Sequence, residues 1–176
     1  MSTAASRPRS EAKRRIVLMG VAGCGKSTVG AALAARIGAN YLDGDDLHPP
    51  ANIEKMSRGE PLTDEDRWPW LGEIGARLAE AESTLIIGCS ALKRPYRDRI
   101  RVEAGAPVVF VHLSGTRELI AARMSARTGH FMPTSLIESQ FAALEPPGVE
   151  ENAITVDVHN SLDWIVEKVL ALLDDR

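Results

Sequence analysis

Gly20-Val21-Ala22-Gly23-Cys24-Gly25-Lys26-Ser27 is the stretch on which the reading turns. It satisfies the pattern G-x-x-x-x-G-K-[ST], and four apolar residues, Ile16, Val17, Leu18 and Met19, stand directly before it. That order, a buried strand, a glycine-rich turn and then a helix, is the context in which the pattern cradles phosphate. The glycines let successive backbone N–H groups turn inward, and the positive end of the following helix adds to the field. Lys26 is expected to reach the β- and γ-phosphates, and the Ser27 hydroxyl to ligate Mg2+. Val21, Ala22, Gly23, Cys24 and Thr28 complete the predicted nucleotide-binding set, mainly through main-chain N–H groups.

Outward from the loop, Val29, Leu33 and Ile37 recur every fourth residue over a predicted helix 26–37, which Gly38 is placed to end. Tyr41 and Leu42 lead into an acidic turn at 43–46, and further buried strands are predicted at 84–88, 107–113 and 153–158. Helical patterns fall at 51–58, 64–81, 96–103, 116–126, 135–144 and 162–173, with Thr63 and Ser161 as N-caps. Strands alternating with helices in this way predict a parallel sheet covered on both faces. In such folds ligands bind beyond the carboxyl ends of the strands. The turns at 20–27, 43–48 and 89–93 all follow predicted strands and should meet there.

The 176 residues suit a single domain, expected to span 15–176 after a disordered basic tail 1–14. A net charge of −3 provides no global field for nucleic acid or an anionic membrane, and no apolar run approaches the roughly 20 residues of a membrane span. Neither partner is expected. Two cysteines, Cys24 and Cys89, are too few for a disulfide framework and fit a reducing, cytoplasmic setting as small apolar packers.

A phosphate loop alone does not separate kinases from nucleotide switches. The run Asp43-Gly44-Asp45-Asp46-Leu47-His48 sharpens the choice. Phosphoryl transfer to an alcohol needs one carboxylate to orient the hydroxyl and take its proton, and another to help hold hydrated Mg2+. Asp43 and Asp45 are candidates for both roles, in either order. Arg117, Arg123 and Arg127 precede Gly129 and His130, and arginines on a closing lid, here about 123–134, are a usual means of neutralising a transferring phosphoryl group. No Asn-Lys-x-Asp guanine-reading signature occurs, which speaks against a GTP switch.

Four runs, LMGVAGCGKST, LDGDDLHPPANIEKMSRGEPLTDEDRWPWL, CSALKRPYRDRIR and ARTGHFMPTSLIESQFAALEPP, resemble gluconokinase of the small P-loop type, the thermoresistant gluconokinase family, from about Ile16 onward. The resemblance implies a three-layer α/β/α P-loop kinase fold like that of shikimate kinases, with a five-stranded parallel sheet, a mobile lid and a homodimeric assembly. It implies transfer of the ATP γ-phosphoryl group to the 6-hydroxyl of D-gluconate, with Mg2+. Residue by residue, Lys26, Asp45, Arg123 and Arg127 would be catalytic, Asp43 would join Ser27 at the metal, and His130 would lie near the substrate. Kinases of another small hydroxy acid such as shikimate, or of a nucleoside monophosphate, remain alternatives within the class. Gluconate is a polyol with a carboxylate, so its site needs a cationic anchor and several fixed polar partners. His48, Asn52, Lys55, Arg67, Lys93, Arg97 and Gln140 are the candidates, with Arg67 or Arg97 suited to grip the carboxylate bidentately. Trp68 and Trp70 are expected to pack rather than to stack on sugar.

Overall fold

The computed structural model describes residues 12–126 and 134–176. Five strands, β1 (Arg15–Met19), β2 (Asn40–Asp43), β3 (Leu85–Gly88), β4 (Val109–Ser114) and β5 (Ala153–Asp157), form one sheet in the order β2-β3-β1-β4-β5. Every pairing is parallel. The helices are α1 (Lys26–Ile37), α2 (Pro50–Ser57), α3 (Asp64–Glu80), α4 (Arg94–Ala104), α5 (Arg117–Ser125), α6 (Thr134–Ala143) and α7 (Leu162–Asp174). Short 3-10 turns occupy Gly44–Leu47 and Val149–Glu151.

The pleat of β1 sorts its side chains between two cores. Ile16 and Leu18 join Leu33 of α1 and Val166 and Val169 of α7, while Val17 and Met19 join Leu71 and Ile74 of α3 and Ile100 of α4. A strand buried on both faces reads as an unbroken apolar run for this reason. Thr63 and Asp66 close a reciprocal capping box at the start of α3, and Ser161 accepts the Trp164 N–H at the start of α7. Helix α4 begins two residues before its predicted start, because Pro95 sits in the first turn, where a missing N–H costs no hydrogen bond.

The expected tail 1–14 needs correction at its inner end. Lys13 donates to the Ala81 carbonyl, and the Arg14 N–H donates to Thr84 Oγ1 at 3.0 Å. Both residues are docked on the loop before β3. Cys24 and Cys89 are free and buried, one in each core. Among the described residues no helix is long and apolar enough to cross a membrane.

Candidate active site

The chain reverses direction around β1, since β2 and β3 lie on one side of it and β4 and β5 on the other. The turn after β1 therefore opens into the crevice that such a reversal creates. Gly25 takes a left-handed conformation (φ 101°) as the N-cap of α1, with no side chain closing the helix end, so the first N–H groups of the helix face the crevice. Gly23 is also left-handed, and a Cβ there would strike the Met124 sulfur at 2.4 Å.

A cavity of 320 Å3 lies over this loop. Lys26, Ser27, Asp43, Asp45, Ser90 and Gln140 are among the residues of its wall. Lys26 Nζ is turned back on its own loop, donating to the carbonyls of Gly20 at 2.9 Å and Val21 at 3.1 Å. Those carbonyls are weaker partners than phosphate oxygens, so a polyphosphate entering the cavity would draw the ammonium off them.

Asp43 ends β2 and accepts the Asp45 N–H at 3.0 Å, which starts the 3-10 turn and points Asp45 into the same cavity. Most of the Asp45 side-chain surface, 81%, is open to the cleft. The crowding of the surrounding protein, and then the charge of Asp43, raises its pKa above the usual 3.8. Hard oxygen donors with room for water and phosphate are what Mg2+ requires, and the Ser27 hydroxyl with the Asp43 carboxylate fits that demand.

Behind Asp45 stands a polar chain. His48 Nε2 lies 3.9 Å from Asp45 Oδ1, and the Asn52 amide lies 3.2 Å from His48 Nδ1 while also donating to the Asp66 carbonyl at 2.9 Å. An amide N–H can only donate, so His48 Nδ1 accepts and its proton sits on Nε2, facing Asp45. Burial lowers the His48 pKa, keeping the ring neutral. Trp70 stacks on His48 at 4.1 Å and donates its indole N–H to the Gly44 carbonyl at 2.7 Å, so it packs as expected and braces the acidic turn. Lys55 pairs with Asp66 at 2.6 Å.

Arg67 and Lys93 converge on one spot. The Arg67 guanidinium lies 5.6 Å and Lys93 Nζ 5.7 Å from the Tyr96 ring centre, and each approaches Asp64, at 3.6 and 3.9 Å. Two cations shared by one carboxylate leave positive charge near His48.

Arg97 is elsewhere, and the expectation of a substrate contact from it is corrected. Its side chain is 0% exposed; it grips Glu151 bidentately at 2.8 and 3.1 Å and donates to the carbonyls of Ala91 and Leu92 at 2.9 and 3.2 Å. Four of its five N–H donors are taken, and the guanidinium is fully enclosed, away from any ligand. Ala91 is held at φ 44°, and its neighbour Ser90 accepts the Gly20 N–H at 3.2 Å, so this clasp shapes the turn beside the phosphate loop. Arg123, expected over the phosphoryl group, instead donates to the Val158 carbonyl and lines a second cavity of 300 Å3. Gly25, Thr28 and Asn160 share that wall, on the far side of the loop. Arg127, His130 and most of the predicted lid lie outside the described residues.

Tyr41 and Ser90 also line the cavity, beyond the predicted site residues. Tyr41 lies two residues before Asp43 on the same face of β2, a period-2 signal, and its ring fills the space beside Gly30 and Gly88. Ser90 stood inside the quoted CSALKRPYRDRIR run.

A family model described as an AAA domain matches residues 16–147. The gluconokinase of Gluconobacter oxydans (strain 621H) is 46% identical over 160 residues, covering 89% of each chain. A crystal structure of a gluconokinase from Sinorhizobium meliloti 1021 superposes with a TM-score of 0.83 at 51% identity, covering 90% of each chain. A shikimate kinase from Bacteroides thetaiotaomicron has a TM-score of 0.65 at 20% identity, covering 93% of this chain and 99% of its own, and so shares the architecture.

Proposed function

The chain belongs to the gluconokinase family, and from that premise we propose that it transfers the γ-phosphoryl group of ATP to the 6-hydroxyl of D-gluconate, giving 6-phospho-D-gluconate and ADP. The observation that carries this reading is the single cavity in which Lys26 and Ser27 face Asp45. A donor of phosphoryl groups and an acceptor hydroxyl both have a partner there. Shikimate-type chemistry has weaker support, since that similarity stops at the fold.

In this reading the N–H groups of Gly23 and of residues 25–28 bind the phosphates, while the Ala22 N–H stays on Gln140 and the Cys24 N–H on the Val21 carbonyl, and Lys26 leaves the Gly20 and Val21 carbonyls for the β- and γ-phosphate oxygens. Mg2+, held by Ser27 and supported by Asp43, would neutralise phosphate charge. The adenine and ribose enter the second cavity, between Arg123 and Asn160. Asp45 orients the 6-hydroxyl and takes its proton. Its raised pKa makes it a stronger base than an ordinary aspartate. The neutral His48, fixed by Asn52 and Trp70, donates toward Asp45 and supports its orientation. Arg67 and Lys93 supply the anchor for the gluconate carboxylate. Arg127 and His130 are assigned to the closing lid, and the protein is assigned to the cytoplasm as a homodimer, on family membership.

The test is ADP formation with and without gluconate. Wild type should depend on both Mg2+ and gluconate, and Asp45→Asn should lower kcat by about 10²–10⁴-fold while ADP affinity stays within about 3-fold. Gluconate-independent ADP formation would point to a nucleotide switch or another acceptor, which a panel of shikimate and nucleoside monophosphates would identify.

A further inference from the structure

Gln140, on α6, is 118 residues from the phosphate loop in sequence, yet its Oε1 lies 3.0 Å from the Ala22 nitrogen. A backbone N–H only donates, so the carboxamide atom on it must be the oxygen, and this settles which way the amide is turned. The two N–H bonds of Nε2 are then carried on the other arm of a planar group whose oxygen is tethered to the loop itself. Among the described residues Nε2 meets no hydrogen-bond acceptor, and Gln140 belongs to the wall of the 320 Å3 cavity. Its neighbours in that wall are Lys26, Ser27, Asp43 and Asp45.

We infer that Gln140 is a catalytic residue of the phosphoryl transfer, donating from Nε2 to a non-bridging oxygen of the γ-phosphoryl group. This rests on the proposed kinase reading. In the step, the bond from the γ-phosphorus to the β,γ-bridging oxygen breaks and a bond to the gluconate 6-oxygen forms. The hydroxyl proton passes to Asp45, and ADP leaves with the bridging oxygen; Gln140 exchanges no proton. Charge explains the choice of an amide. A further cation beside Asp43 and Asp45 would pair with those carboxylates, whereas a neutral donor stays available to the phosphoryl oxygens and adds no charge to the site. Because the tether is the loop backbone, the donor moves with the groups that hold the phosphates.

Gln140 is half-buried at the surface of the cleft, so its substitution should leave the fold intact. Two variants of the full chain separate the possibilities. Gln140→Leu removes both donor and tether, and Gln140→Glu keeps an oxygen for the Ala22 N–H but removes the donor and adds charge. Removing one preorganised donor should lower kcat by about 10²–10³-fold in Gln140→Leu and at least as far in Gln140→Glu, with the gluconate KM and ADP affinity within about 3-fold. Without any acceptor present, fluorescence titration should show both variants losing preference for the β,γ-imido analogue of ATP over ADP. That arm reads Gln140 even if gluconate proves not to be the acceptor. An unchanged kcat, a defect confined to the gluconate KM, or an unchanged preference for the imido analogue would each overturn the inference.

Discussion

Replacing Arg97 by methionine should be among the most damaging single changes in this protein. The side chain is fully enclosed, and its partner Glu151 is 2% exposed, so neither charge can be rescued by water. Removing one member of a buried pair costs about 3–5 kcal/mol, because the other is left without its counterion. Here Arg101 remains 3.3 Å from Glu151, which favours the low end. The Leu92 carbonyl keeps the Glu145 N–H at 2.8 Å, but the Ala91 carbonyl loses its side-chain donor, adding roughly 1 kcal/mol. The total is about 4 kcal/mol against a typical stability of about 5–15 kcal/mol. At roughly 2–4 °C per kcal/mol the melting temperature should fall by about 8–16 °C, read by circular dichroism. Removing both charges, Arg97→Met with Glu151→Leu, should recover at least half of the loss. The pair also has a pH signature. Arg97 holds the Glu151 carboxyl down at about 2, so its contribution is complete above 4.5 and is lost as pH falls from 4.5 toward 2. Glu151→Gln should lack that part of the acid slope. A single variant within about 1 kcal/mol of wild type, or a double variant no better than the single, would refute the reasoning.

Two further outcomes concern the sheet. Burial, with the Arg97 charge, lowers the His112 pKa from 6.5 to about 4, so the folded chain resists a proton that the unfolded chain accepts. Stability should therefore be complete above 6.5 and decline as pH falls toward 4; urea unfolding at pH 7 and pH 5 should show the decline in wild type and its reduction in His112→Phe. A Cβ on Gly30 would come within 2.2 Å of the Tyr41 ring, so Gly30→Ala should destabilise by about 1–3 kcal/mol, and Tyr41→Ala in the same chain should relieve the clash. Additive losses in the double variant would remove that explanation.

Much of the architecture was legible along the chain because the signals that set it are local. Four apolar residues before a G-x-x-x-x-G-K-S turn specify a doubly buried strand and the start of α1, and both are present. Thr63 and Asp66, three residues apart, specify the cap of α3 without help from the rest of the fold. The acidic turn was legible too, since Asp43 satisfies the Asp45 N–H within its own turn.

Long-range pairing was not. Arg97 sits in a run of site-like residues, and only the return of the chain before β5 brings Glu151, 54 residues away, against it. Arg123 looked like a phosphoryl partner from its place on α5, but the residue after β5 supplies the Val158 carbonyl that holds it at the second cavity. The phosphate loop, the alternation of strands and helices and the acidic turn are written into short stretches of the chain, because each depends on backbone conformation and periodicity within a few residues. Which arginine is a buried clasp, which lines a cavity, and that Gln140 reaches Ala22 follow only from the packing of distant elements. Those outcomes depend on which strands neighbour one another, and the order β2-β3-β1-β4-β5 is set by packing between elements rather than by any stretch within one.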